Sequence, residues 1–199
     1  MLAKDYRQSA LQRLNGHWGD MILISFIYTV IMGVLSYTGI GALILGGPFV
    51  LGLATVMLKL IRVGKVQLEN LFDGFKGESI GNTIVTYILY TVYLMLWTML
   101  FFIPGLVKAY SYAMTFYILH DEPTLSANEA ITRSRQMMDG NKMRLFCLHL
   151  SFIGWILLAC LTCGIGFIVL TPYMSLAQAE FYESLKQPAG GFVEDAPTV

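Results

Sequence analysis

Apolar runs near the length of a membrane crossing recur six times in this chain, and no other feature constrains the fold as strongly. They fall at about Met21–Ser36, Ala42–Ile61, Asn82–Ile103, Leu106–Leu119, Leu145–Leu161 and Phe167–Tyr182. An α-helix rises about 1.5 Å per residue, so roughly 20 apolar residues cross a hydrocarbon core about 30 Å thick. The fourth run is short for that distance; it either tilts little or begins before Pro104. Composition agrees, with 56% of residues hydrophobic and 13% charged, where soluble domains carry about 25% charge. The formal net charge is zero, so bulk charge points to no nucleic-acid partner.

A local device recurs between the runs. Short helices end in a hydrophobic residue, then Asn or Asp, then Gly, at Leu14-Asn15-Gly16, Phe72-Asp73-Gly74 and Met138-Asp139-Gly140. Gly16 and Gly140 stand 124 positions apart, and so do Pro48 and Pro172. Thr38-Gly39-Ile40-Gly41 matches Cys163-Gly164-Ile165-Gly166 one residue out of step. Gly and Pro mark specific backbone sites, so a shared offset reads as an internal repeat. The expected fold is all-α and polytopic, with six transmembrane helices in three helical hairpins. A short cytoplasmic amphipathic helix precedes each hairpin. The repeats cover about 3–62, 66–120 and 126–186 in one domain, 1–186, followed by a disordered cytoplasmic tail, 187–199. A basic start before an apolar run resembles a cleaved signal peptide, but the same pattern recurs deep in the chain.

The clearest amphipathic helix runs from Ser126 to Gly140. Ser126 with Glu129 three residues on is a capping box. At about 100° per residue, Ala127, Ala130, Ile131, Ser134, Met137 and Met138 share one face, and Arg133 and Arg135 edge it. That placement suits a helix lying in a membrane interface, where an edge Arg keeps its stem among acyl chains and its charge at the headgroups. The competing expectation is a helix packed on the protein itself. Tyr6, Ala10 and Leu14 form a weaker stripe near the N-terminus, and Leu68, Leu71, Phe72 and Phe75 another in the middle.

Twelve of the thirteen Lys and Arg residues fall in the N-terminus, two inter-run loops or the start of the tail; Lys108 is the exception. The positive-inside rule then puts both termini and those loops in the cytoplasm. The three outer connections are tiny and uncharged, leaving no room for an external receptor or enzyme. Lys108 is expected on the outer half, snorkelling outward.

Ile103-Pro104-Gly105, the stretch to Leu119, Ser126 to Gly140, Leu150-Ser-Phe-Ile-Gly-Trp155, Gly164-Ile-Gly166, Pro172-Tyr173 and Phe181-Tyr182 resemble a family of bacterial integral membrane proteins, domain of unknown function nine hundred and seventy-five. The likeness runs to about Lys186. It implies a six-span helical fold in the bacterial plasma membrane and carries over no catalytic residue. The layout is more distantly similar to the membrane domain fused to some glycerophosphodiester phosphodiesterases, which hints at lipid by analogy.

No nucleotide, metalloprotease or hydrolase fingerprint is present, and no catalytic, cofactor or metal residue is expected. His120-Asp121-Glu122 reads as a polar stop before Pro123 rather than a ligand set. Cys147, Cys160 and Cys163 read as small packing residues. Ser25, Thr29 and Gly33, spaced by four, read as a close-packing helix face, within the bundle or between protomers. Candidate lipid-headgroup contacts are Arg133, Arg135, Lys142 and Arg144; candidate pathway or cavity residues are Lys108, Tyr110, Tyr112 and His149. The partners expected are membrane lipids, anionic ones above all, with a homo-oligomer or a membrane-protein partner left open. The favoured function is a non-enzymatic lipid- or envelope-associated accessory factor. The alternatives are a small channel or transporter for an uncharged or anionic substrate, and a membrane enzyme using His120, Asp121 and His149.

Overall fold

A computed structural model describes residues 3–76, 80–162 and 166–186. The expected tail and the turn at 163–165, with Cys163, lie outside the described residues. Every regular element among them is helical: α1 Ala3–Leu14, α2 Trp18–Thr38, α3 Ile40–Val63, a 3-10 helix Leu68–Phe75, α4 Ile80–Leu100, α5 Phe102–Tyr112, α6 Thr115–Asp121, α7 Ala127–Met137, α8 Lys142–Leu150, α9 Ile153–Leu161 and α10 Gly166–Lys186.

Four stretches are long and apolar enough to cross a membrane: Trp18–Thr38, Gly41–Val63, Ile80–Leu100 and Lys142–Leu161. The other two expected runs take different forms. The fourth is interrupted between α5 and α6. The sixth, α10, is 21 residues long, but its second half carries Gln178, Glu180 and Glu183.

The core gathers at one end of the helices. Tyr6, Ala10 and Leu14 of α1 are buried, as the stripe predicts, and α1 packs on α8 and α10. Against them lie Met21 and Ile24 of α2, Leu58 and Leu60 of α3, Leu145 and Leu148 of α8, and Phe181 and Tyr182 of α10, all buried. Tyr6 meets Phe181 edge to face, with centroids 5.4 Å apart. At the far end, Tyr37, Met99 and Leu161 are 95%, 83% and 81% exposed.

Two of the three Gly-terminated helices end as their sequence predicts. Gly16 and Gly140 have φ of 90° and 73°, the left-handed conformation that releases a chain from a helix. The middle copy differs. Leu68–Phe75 is a 3-10 helix pressed against α3, and a Cβ on Gly74 would stand 2.0 Å from the Pro48 carbonyl oxygen. Gly74 therefore serves close backbone approach rather than helix termination. Phe49, which follows Pro48, sits edge-on to Phe72 and Phe75 at 5.9 and 4.8 Å. Asp73 locks the same contact. Burial alone would raise its carboxyl pKa, but hydrogen bonds from Lys59 and Lys76 outweigh that and hold it below the usual value.

The α5–α6 break contains neither Gly nor Pro. It is held by side chains from elsewhere. The Ser134 hydroxyl of α7 accepts from the Met114 N–H at 3.2 Å and donates to the Ser111 carbonyl at 2.9 Å. Gln178 of α10 donates to the Ala113 carbonyl at 3.4 Å. Tertiary bonds thus replace the helical ones lost at the break, as buried backbone groups require.

Candidate functional site: a basic pocket beside an apolar belt

The α7 helix forms as its sequence predicts. Ser126 accepts from the Glu129 N–H, and the Glu129 carboxylate accepts from the Ser126 N–H and hydroxyl at 2.9 and 2.7 Å. The Ser126 donors hold Glu129 below its ordinary pKa. Ala127, Ala130, Ile131, Ser134 and Met138 are buried, and Met137 is half-buried. The predicted apolar face is therefore real, but it is filled by the protein. It packs against α4, α5 and α6, so this face is not laid in a membrane interface. Asn82 of α4 donates to the Leu125 carbonyl, and the Tyr93 hydroxyl bonds Asn128 at 3.3 Å, tying the start of α7 to α4 at two points.

This packing sorts the four candidate headgroup residues into two pairs. Arg133 is ion-paired with Glu122. Arg144 donates to Tyr6 and Asn141, both at 2.8 Å, and lies over the Phe181 ring. Those two guanidiniums are engaged in holding helices together. Arg135 and Lys142 are not, and neither has a carboxylate partner among the described residues.

Lys108 joins the free pair. It sits over the Trp97 ring, 4.5 Å from the centroid, close enough to Arg135 and Lys142 to feel their charge. Its ammonium shares a pocket with the α7–α8 connection. The physical reason is the packing of α7 on α4 and α5, which brings a basic segment to Lys108. Together Lys108 and Ser111 of α5, Thr132, Arg135 and Gln136 of α7, then Asp139 and Lys142, line an open pocket of about 310 Å³. Leu106, Val107, Met143 and Phe146, neighbours of these residues along α5 and α8, are exposed.

The remaining candidate pathway residues point elsewhere. Tyr110 meets His149 of α8, hydroxyl to Nδ1 at 3.3 Å, the interhelical bond that a buried imidazole needs. Tyr112 is buried against Tyr90 and Tyr93 of α4. The polar stop also disperses. His120 Nδ1 bonds Thr55 at 2.8 Å, Glu122 takes Arg133, and Asp121 accepts a bidentate pair from Arg62 at 2.7 and 2.9 Å. Tyr182 and Lys186 also donate to Asp121, at 2.8 and 2.6 Å. Burial alone would raise the Asp121 pKa, but these three donors outweigh it and hold the carboxyl well below the ordinary range. Cys147 and Cys160 are exposed rather than packed. Ser25 is buried, but Thr29 and Gly33 of the small-residue face are exposed.

The fold and the site together define an all-α protein with membrane-length apolar helices and a basic pocket at the edge of its apolar surface. The chain belongs to the family described as "Protein of unknown function (DUF975)", whose model matches residues 1–111 and 102–189. No curated protein and no solved structure matches it.

Proposed function

We propose that this is a six-span protein of the bacterial inner membrane, with both termini cytoplasmic, that acts as a non-enzymatic lipid-associated accessory factor. The observation that carries the reading is the convergence of Lys108, Arg135 and Lys142 on one pocket, where they outnumber the single carboxylate, Asp139, and form no ion pair among the described residues. A pocket with two net positive charges, on helices that also expose Leu106, Val107 and Phe146, suits an anionic lipid, whose headgroup meets charge while its chains meet apolar surface. The interrupted α5–α6 segment supplies the fourth span; irregular backbone at membrane depth is tolerated where protein satisfies it, and Ser134 and Gln178 do so here. Pro48 and Pro172 both lie inside their helices, which favours reading the second and sixth spans as counterparts in a repeat.

The rival readings draw less support. A channel or transporter needs its polar residues along one path, whereas Lys108, Tyr110 and Tyr112 take separate neighbours. An enzyme built on His120, Asp121 and His149 needs them together, whereas His120 and Asp121 are bonded to Thr55 and Arg62 of α3 and His149 to Tyr110 of α5.

Topology is tested by thiol labelling in a background with all three native cysteines replaced by Ser. Tyr37→Cys and Ile103→Cys should react only from outside the cell, and Lys65→Cys and Thr124→Cys only from inside. Outside labelling of Thr124→Cys would overturn the six-span arrangement. Native mass spectrometry of the protein extracted with its lipids tests the association: anionic lipid should remain bound, and a spectrum of bare protein would remove the lipid reading.

A further inference from the structure

The pocket's charge count bears on which anionic lipid it takes, an inference that rests on the lipid-associated reading. Lys108, Arg135 and Lys142 contribute three positive charges, and Asp139 on the same wall contributes one negative. The lining therefore carries two net positive charges. A phosphodiester headgroup such as phosphatidylglycerol brings one negative charge and leaves one cation unmatched. A terminal phosphomonoester brings about −1.5 to −2 at pH 7 and three strong acceptor oxygens. Thr132 and Gln136 line the same pocket and supply neutral donors beside the cations.

We infer that the pocket framed by α5, α7 and the start of α8 is a phosphomonoester site for a membrane lipid, one whose headgroup ends in a phosphate bearing two ionisable oxygens. Lys108 comes from the α5 side, and Arg135 and Lys142 from the far side, so the phosphate is held between them. The Trp97 indole occupies the ammonium of Lys108 while the site is open, which keeps that cation in place against repulsion by Arg135 and Lys142. Lipid rather than soluble phosphate is the source, because Leu106, Val107, Met143 and Phe146, neighbours of the lining residues along α5 and α8, expose apolar surface. The chains of a lipid cover that surface, and an inorganic anion does not. The remaining basic residues of α7 and α8 do not take part, since Arg133 and Arg144 are committed to Glu122 and to Tyr6 and Asn141.

The test uses the full chain in nanodiscs of phosphatidylcholine doped at equal mole fraction with phosphatidic acid or phosphatidylglycerol, with bound lipid counted by native mass spectrometry. Phosphatidic acid should be retained about tenfold better, the scale of one added charge-assisted contact. Lys108→Gln and Lys142→Gln should each erase that preference, while Arg133→Gln should keep it. Lys142 opens α8 and is only half-buried, so its substitution tests the site even where Lys108→Gln lowers yield. Millimolar inorganic phosphate, at matched ionic strength, should displace nothing. Equal retention of the two lipids would overturn the phosphomonoester assignment and leave anionic-lipid association standing. Retention of neither would overturn both. Displacement by inorganic phosphate would make this a soluble-anion site and overturn the lipid source.

Discussion

On α4, Thr83 and Thr86 are fully buried, while Met95, Met99 and Leu100 further along the same helix stand exposed. The same inversion recurs on α2, where Ser25 is buried and Val34 and Tyr37 are open, and on α10, where Val169 is open and Tyr182 is buried. One end of the molecule is a packed base that holds the polar and charged contacts. The other is a set of helix ends, the tips, made of exposed apolar side chains. Water as solvent would select the opposite arrangement, since each large apolar side chain left exposed forgoes about 1.5–3 kcal/mol of burial. Lipid removes that penalty, so the tips need no partner within the protein. The comparison teaches that tertiary specificity is concentrated in the base, where helices meet through close backbone contacts and buried bonds.

The largest effect that would break this division is a methyl group in the base. An added Cβ at Gly74 lies 2.0 Å from the Pro48 carbonyl oxygen and 2.8 Å from its carbon. Backbone cannot swing aside as a side chain can. Gly74→Ala should therefore cost more than about 4 kcal/mol, the range reserved for severe single substitutions, and should be read as loss of folded protein on size-exclusion chromatography. A well-folded Gly74→Ala protein would mean that the 3-10 segment is not clamped on α3.

Acid offers a smaller, graded effect on the same end. Asp121 joins α3 to α10 through Arg62, Tyr182 and Lys186, and its carboxyl pKa is depressed in the folded state. A depressed carboxylate contributes stability that is fully present above its unfolded pKa, about 3.9, and is lost as pH falls toward the lower folded value. Thermal unfolding should therefore hold steady down to about pH 5 and then fall. Asp121→Asn should cost about 1–2 kcal/mol at neutral pH, because it removes charge-assisted bonds from Lys186 and from Arg62, which keeps its pair with Glu183, and should flatten the acid limb. An unchanged acid limb in Asp121→Asn would move the acid sensitivity to another carboxylate.

How much of this was legible in the sequence divides along the same line. The tips were legible as runs of Leu, Ile, Val and Met, because helices long and apolar enough to cross a membrane are recognised from length and hydropathy alone. The stripe of Tyr6, Ala10 and Leu14 and the capping box at Ser126 were legible because helical period and local hydrogen bonding stay within a few residues. The base was not. The break at Ala113 and Met114 has no local signal, since Ser134 and Gln178 supply its partners from distant helices. The apolar face of α7 was visible, but its partner was not, because periodicity marks a buried face without saying whether lipid or protein covers it. The company of Lys108 was hidden for the same reason. Its neighbours, Arg135 and Lys142, are set by the packing of α7 on α4 and α5, a property of three helices at once. The 3-10 form of Leu68–Phe75 likewise depends on the Pro48 backbone it presses on.

The smallest effect comes from repeating the glycine substitution at a tip. Gly33 lies in the exposed half of α2, and an added Cβ there meets nothing within 4 Å. Gly33→Ala should stabilise the helix by at most about 1 kcal/mol, the propensity difference between the two residues. Its contrast with Gly74→Ala then measures the division between base and tip with one methyl group in each. The same position also separates lipid from protein as the tip's surroundings. Thr29 and Gly33 form a narrow, smooth strip that suits close helix packing, and a second copy of the chain could exploit it. Gly33→Leu fills that strip. With lipid alone against α2, the oligomeric mass in detergent and in nanodiscs stays the same, and that is the expected result. A drop in mass on Gly33→Leu, with the fold intact, would instead show that the tips are partnered and that their exposure ends at a protomer boundary.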